Sequence, residues 1–246
     1  MALTPLGSAA EVLVATGHEP FARGSLRRTD VRGWLGESAV AWVGTDAEER
    51  VPYLSALGPP DRVAALLAEL LPELSPRQRL SVPRGTAALL PAWVQLEGPV
   101  DWDVRWLSGP PPRQPGEQLV APDPDEVAVK GLLDAGASAL PGDPAVRRWW
   151  GITDADGALR ACAADTSAAT GVGHLSSVAV AVESRGRGLG KAITAAAARA
   201  LFEQGCDVVT LGSYQANVAA TALYDALGFA AGHAFTSGRL LQRSRW

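Results

Sequence analysis

Two cysteines, Cys162 and Cys206, and three histidines, His18, His174 and His233, are all that 246 residues offer to a soft metal or a redox couple. Neither set has metal-ligand spacing, and two cysteines build no disulfide framework, so no metal and no stapled extracellular scaffold are expected. An excess of basic residues is lacking too, with 22 Lys and Arg against 26 Asp and Glu and a formal net charge of −4. A general nucleic-acid binder carries a basic stripe, so no nucleic-acid partner is expected, although net charge leaves a local patch open. Long apolar runs are absent: charges or prolines break each one before the length of about 18 residues that a membrane helix needs. Met1-Ala2-Leu3-Thr4-Pro5 has neither the basic start nor the apolar run of a secretion signal. The expectation is a cytoplasmic chain with no membrane partner. What is present is ordinary for a protein with a core, 47% hydrophobic and 20% charged.

The sharpest change in composition is Ser108 to Asp125, which contains Gly109-Pro110-Pro111-Pro112-Arg113-Gln114-Pro115-Gly116. Proline removes donors and disfavours helix before it, which predicts a linker over 109–124 between an N-terminal α/β domain, 1–108, and a second domain, 125–246. In the first part, Ala39–Val43, Tyr53–Leu57, Arg79–Val82 and Trp102–Leu107 read as strands and Leu89–Val94 as helical. Asp61–Leu74 reads as a helix capped by Asp61, with Leu66, Leu67, Leu70 and Leu71 on one face. Trp93, Trp102 and Trp106 are read as packing residues ahead of a ligand platform. In the second part, the pattern predicts helices over Asp125–Ala135, Gly188–Glu203 and Ala216–Leu227. Strands are predicted over Arg148–Thr153, Ala158–Ala164, Leu175–Val182, Asp207–Leu211, Phe229–Phe235 and Arg239–Gln242. That order is α/β with a mixed central sheet flanked by helices.

Arg185-Gly186-Arg187-Gly188-Leu189-Gly190-Lys191 sits between an apolar strand and the long helix. A strand that runs through a glycine-rich turn into a helix points several N–H groups at one spot, and the helix dipole adds positive charge there. The result suits a pyrophosphate. The spacing matches neither the G-x-G-x-x-G dinucleotide fingerprint nor a P-loop. Taken alone, it also fits an ordinary strand-to-helix turn.

It does not stand alone, because Asn217, Ala220, Leu223-Tyr224 and Leu227-Gly228-Phe229 follow after a further strand. Arg185-x-x-Gly188-x-Gly190 resembles the pyrophosphate motif of the GNAT acyl-CoA N-acyltransferases, and the Asn217–Phe229 stretch resembles that superfamily's second signature. The resemblance runs from about Glu117 to Trp246. It implies acetyl-CoA as co-substrate and an amine acceptor, with main-chain groups of Val178, Ala179 and Val180 on the pantetheine arm and the thioester. Arg185, Gly186, Arg187, Gly188, Leu189, Gly190 and Lys191 should wrap the pyrophosphate, Asn217 should touch the cofactor from the other side, and Tyr224 should be the general acid. The strands beside the cofactor should splay to form its slot. Asn217 also fits a helix cap, and Tyr224 a core tyrosine.

One departure matters. Many superfamily members place a glutamate base five residues ahead of the asparagine, where this chain has Gly212. A lysine amine costs roughly 4–5 kcal/mol to deprotonate at pH 7 and an α-amino group only about 1 kcal/mol, so a weak base suits a low-pKa amine. Glu183, His174, Asp225 and a water chain are the other candidates for the base. Loss of the Tyr224 phenol should slow transfer roughly tenfold to a thousandfold without abolishing it. In the first half, Gly58-Pro59-Pro60-Asp61 falls where Arg185–Gly190 does, which suggests either a degenerate copy in a tandem GNAT arrangement or an unrelated small α/β cap. Three classes follow: direct transfer of an acetyl group to a small-molecule amine or protein N-terminus, a non-catalytic acyl-CoA sensor, and a scaffold without cofactor. The resemblance is compatible with a homodimer.

Overall fold

The computed structural model describes residues 3–26, 29–45, 52–73, 78–134, 137–169 and 171–242. The chain divides into two compact units, Met1–Val104 with Tyr214–Ala216 and Gly232–Trp246, and Arg105–Ser213 with Asn217–Ala231. In chain order the strands are β1 (Thr4–Leu6), β2 (Thr29–Leu35), β3 (Val40–Thr45), β4 (Pro52–Leu57), β5 (Arg79–Pro83) and β6 (Val94–Leu107). They continue with β7 (Val120–Pro122), β8 (Arg148–Thr153), β9 (Leu159–Asp165), β10 (Val172–Val180), β11 (Val208–Tyr214) and β12 (Ala230–Gln242). The helices are α1 (Ala9–Ala15), α2 (Pro20–Ser25), α3 (Pro60–Leu70), α4 (Glu126–Leu132), α5 (Leu189–Glu203) and α6 (Val218–Ala226).

In the first unit the strand order is β1-β2-β3-β4-β5-β12-β6, with β6 and β12 entering through residues 94–104 and 232–242. The pair β4–β5 is parallel and is bridged by α3. Pro60 presets the first helical turn; Asp61, expected as the cap, lies inside that turn, and the cap position is Pro59 without a side-chain bond. Val63, Leu66, Leu67 and Leu70 then form a stripe over Leu54, Leu80 and Val82. The expected end of this helix at Leu74 lies outside the described residues. At Leu89–Val94 the expected helix is replaced: a 3-10 turn spans Thr86–Leu89 and Val94 opens β6. Pro91, which has no N–H to donate, separates them.

The two strands expected near the C-terminus are one, β12, because Thr236 and Ser237 find partners inside the sheet. Thr236 donates to Asp101 at 2.6 Å, Trp102 Nε1 donates to Ser237 at 2.7 Å, and Ser237 also meets Ser81. The ladder with β5 runs from Phe235↔Pro83 to Arg239↔Arg79, and Phe235 and Leu240 are fully buried. Trp102 packs its ring 5.1 Å from that of Phe235, consistent with its reading as a packing residue. Gly58, which ends β4, has φ +134° and could carry no Cβ, since one would stand 2.5 Å from the Ser38 carbonyl oxygen.

The second unit has the order β6-β11-β10-β9-β8-β7, with β6 entering through residues 105–107. Here β10–β11 is parallel, while β10–β9, β9–β8 and β8–β7 are antiparallel, so the sheet is mixed. Helix α5 lays Ala192, Ile193, Ala195, Ala197, Ala198 and Leu201 against Leu175, Val209 and Leu211. Small residues let helix and sheet approach: a Cβ at Gly173 would stand 2.9 Å from Leu201 Cδ1. The other face carries a smaller cluster of Val129, Ala139, Trp149, Cys162 and Ala164. Helix α4 ends at Leu132, and the predicted end at Ala135 lies outside the described residues. The proline-rich stretch is packed against α5, where Arg199 donates to the Pro111 carbonyl at 2.7 Å and to Glu117 at 3.0 Å. Among the described residues no helix is long and apolar enough to cross a membrane, and no cluster of metal-ligating side chains occurs.

Candidate active site

The parallel ladder between β10 and β11 runs from Val172↔Val208 to Leu175↔Leu211 and stops there, although β10 continues to Val180 and β11 to Tyr214. A bulge does the parting. The register of β10 on β9 shifts between Ser176 and Ala179, and Ser177 takes the left-handed region at φ +48°. A non-glycine residue there costs about 1–2 kcal/mol, so something must hold it. Ser177 Oγ accepts from Ala139 N–H at 2.8 Å and donates to the Ala139 carbonyl at 2.9 Å. Past the bulge, Ala181 N–H donates to the Arg160 carbonyl on the β9 side at 2.9 Å. By strand alternation Ala179 shares that side, and Val178 and Val180 turn their main-chain groups toward the opening. The β10 edge past the split is no longer laddered to β11, and a slot results.

The slot leads to the glycine loop. Strand β10 is followed by a 3-10 turn at Val182–Ser184, shorter than the strand expected through Val182, and then by Arg185 to Gly188. Gly186 and Gly188 have φ +74° and +81°, and a Cβ on either would meet nothing within 4 Å. The loop therefore stands open in front. Gly188 caps α5 without a side-chain bond, and among the described residues no protein acceptor meets the N–H groups of Gly186 through Lys191. Gly190 packs close under α6: a Cβ there would lie 2.7 Å from Leu223 Cδ1, which would have to shift. Arg185 turns back on its own strand, its Nε donating to the Val180 carbonyl at 3.3 Å, while Arg187 is exposed.

On α6, Asn217 is the cap and accepts from Ala220 N–H at 3.1 Å; its exposed side chain sits at the head of the helix. Tyr224, one of the core residues, packs beside Phe229 with ring centroids 5.7 Å apart. Burial pushes its hydroxyl up to about 12, with the Arg105 guanidinium pulling the other way. Arg105 comes from β6, is itself buried, and donates Nη1 to Asp225. Sequence reading missed Arg105, since nothing local marks a residue whose partner lies 120 positions away. Its Nε has no partner and its charge rests on a carboxylate that is 58% exposed. Removing Asp225 would strand a buried cation, whereas Arg105→Met removes the charge and keeps much of the bulk. Asp225→Ala is thus expected to lower stability by about 3 kcal/mol and Arg105→Met by less. Urea unfolding midpoints check this, and the reverse ranking would refute it.

The candidates for a base are placed as follows. Gly212 lies exposed on β11 just past the split and brings no carboxylate. Glu183 is engaged by Arg160, and Asp225 by Arg105. His174 pairs with Thr210 in the ladder, its Nδ1 at 2.8 Å from Thr210 Oγ1, one step below the split. Neither cysteine suits nucleophilic attack: burial pushes the Cys162 thiol up to about 12 and raises Cys206 as well. A cleft of about 330 Å³ lined by Arg113, Gln114, Glu117, Arg199 and Glu203 lies along the far half of α5 and includes no loop residue.

A parallel β-α-β pair split at its end, with an open glycine loop leading into the helix, lies in a mixed α/β fold that solved structures share. The chain is similar to a GNAT-family acetyltransferase structure from Novosphingobium aromaticivorans, at 24% identity over 85% of this chain and 91% of that one, with a TM-score of 0.55. It is similar to a GCN5-related N-acetyltransferase from Sphaerobacter thermophilus, at 17% identity over 96% and 95%, with a TM-score of 0.59. A tandem GNAT protein from the clavulanic acid biosynthesis pathway matches at 19% identity over 97% and 98%, with a TM-score of 0.52. No curated protein matches. The acetyltransferase (GNAT) family model matches residues 134–229.

Proposed function

We propose that the second unit transfers an acyl group, acetyl in the first instance, from acyl-CoA directly to an amine. The observation that carries this is the end of the β10–β11 ladder at Leu175 and Leu211, beside an open loop with unpaired N–H groups. The slot edge supplies main-chain groups of Val178 and Val180 to the pantetheine arm and thioester carbonyl. Gly186 through Lys191 present N–H groups to the pyrophosphate, with the helix dipole and the charges of Arg187 and Lys191 behind them. Asn217 lies at the head of α6, where it closes on the cofactor. Tyr224 supports the departing thiolate.

With Glu183 and Asp225 tied to guanidinium groups and Gly212 bare, the acceptor is a low-pKa amine or loses its proton through water or to His174. The first half is a degenerate copy without a cofactor site. Its β4–α3–β5 segment has the same parallel order, but Pro59 and Pro60 offer no N–H, and the Cβ space at Gly58 is filled by Ser38 and Ala39.

A panel of amines tested with acetyl-CoA, read by release of free thiol, checks the reading. Amines with conjugate acids near ~8, α-amino groups among them, should react ahead of lysine-like amines. Tyr224 must be protonated to act, and burial raises its pKa above the ordinary 10 toward about 12, so it keeps its proton through the alkaline range. The rate should rise with pH as the amine deprotonates, with no falling limb before about pH 11. A falling limb near pH 9 would remove Tyr224 from the role. Binding of acetyl-CoA with no thiol release for any amine would favour a sensor.

A further inference from the structure

Resting on that reading, we propose that the Ser213 hydroxyl is a second hydrogen-bond donor to the departing sulfur, working beside Tyr224. Ser213 lies on β11 two residues beyond Leu211, where the ladder with β10 has already ended. Val209 and Leu211 point into the cluster that holds Tyr224, and alternation along the strand puts Ser213 on that same face while Gly212 and Tyr214 turn away. The burial pattern agrees, with Ser213 buried between exposed neighbours. Its Oγ is inaccessible and has no partner in the protein. Buried hydroxyls are paired in the great majority of cases, so an orphan on the lip of a ligand slot points to a partner that arrives with the ligand. Other buried polar atoms without partners belong to Gln78, Arg84, Thr86, Arg105 and Arg199. Arg105 and Arg199 still hold a carboxylate through their other nitrogens, and Gln78, Arg84 and Thr86 belong to the first unit.

The chemistry explains why a second donor is useful there. A phenol pushed up to about 12 is a reluctant proton source for a thiolate whose conjugate acid lies near ~8.5. Hydrogen bonds to the anion then carry much of the stabilisation, and two donors carry more than one. Ser213 forms no covalent bond and loses no proton; it donates to sulfur as the charge develops, while the amine proton ends on the thiol.

The test compares the binding of CoA and desulfo-CoA to the full chain at pH 9, by calorimetry, in the wild type, Ser213→Ala and Ser213→Thr. Wild type should prefer CoA, and Ser213→Ala should lose about tenfold in CoA affinity with desulfo-CoA unchanged, the size of a charge-assisted bond. Ser213→Thr, which keeps a hydroxyl, should retain much of the preference. Without ligand, Ser213→Ala should melt no lower than wild type, because a methyl replaces an unsatisfied hydroxyl. Equal losses for both ligands, no preference in the wild type, or a lower melting point in Ser213→Ala would each overturn the proposal. Failure of wild type to bind CoA at all would instead sink the acyl-CoA reading on which it stands.

Discussion

Saturating acetyl-CoA is expected to raise the unfolding midpoint of the wild-type chain and to leave that of Gly188→Trp unmoved. A ligand that binds only the folded state stabilises it by about 2.7 kcal/mol at a hundredfold excess over its dissociation constant. For a domain of this size that corresponds to a shift of roughly 5–10 °C. Gly188 decides the outcome for two reasons. Its φ of +81° lies in the region L side chains avoid, and the space in front of its missing Cβ is open. An indole there would occupy the volume that gives a phosphate access to the N–H groups of Gly186 through Lys191. The variant also pays about 1–2 kcal/mol for its backbone, so each protein is compared with its own unliganded midpoint. Gly188→Ala, carrying the backbone cost with little bulk, should keep part of the protection. Protection that persists in Gly188→Trp would move the cofactor away from the loop.

The second large effect is kinetic. Tyr224→Phe should lower kcat by roughly tenfold to 150-fold, the equivalent of a hydrogen bond to a charged group, while acetyl-CoA protects it as well as it protects wild type. This falls in the lower part of the range that the sequence alone suggests, and the reason is burial. A hydroxyl pushed up to about 12 gives up a full proton unwillingly, so its contribution is closer to donation than to transfer. The loss should appear in kcat with little change in the apparent affinity for acetyl-CoA, since the ring remains in its place beside Phe229. An unchanged kcat would make Tyr224 a core residue and nothing more. Unaltered protection with a thousandfold loss or greater would instead mean that the phenol passes its proton outright.

Much of the second unit is legible in the chain because its signals are local. The strand, glycine turn and helix from Val172 to Glu203 follow from one apolar run, three glycines and an alanine-rich stripe. The split of the slot is implied only by resemblance, since the bulge at Ser177 depends on Ala139, far off in the chain, to hold it. Arg105 and Ser213 escape sequence reading for the same reason: a lone arginine or serine in a strand says nothing until the neighbouring strands are known. The first unit is less legible, although one of its signals is local. Ser8 and Glu11 form a variant of the capping box, with Glu11 N–H donating to Ser8 Oγ at 3.3 Å and the Glu11 carboxylate accepting from Gly7 N–H, one residue before the cap, at 2.6 Å. That spacing is visible in the sequence and marks α1, which only seven residues make. Glu19 before Pro20 marks α2 in a similar way.

The return of β12 to the first unit has a consequence for the order in which the protein can be made. Residues 232–242 complete a sheet whose other members all lie before residue 105, and they bring Phe235 and Leu240 into its core. While the chain emerges from a ribosome, the edge of β5 that pairs with β12 has no strand beside it until residues 232–242 have been translated. The second unit, by contrast, is complete once Ala231 has appeared. Synthesis therefore runs N to C while consolidation runs the other way, and the half made first is the half that needs a chaperone's cover longest.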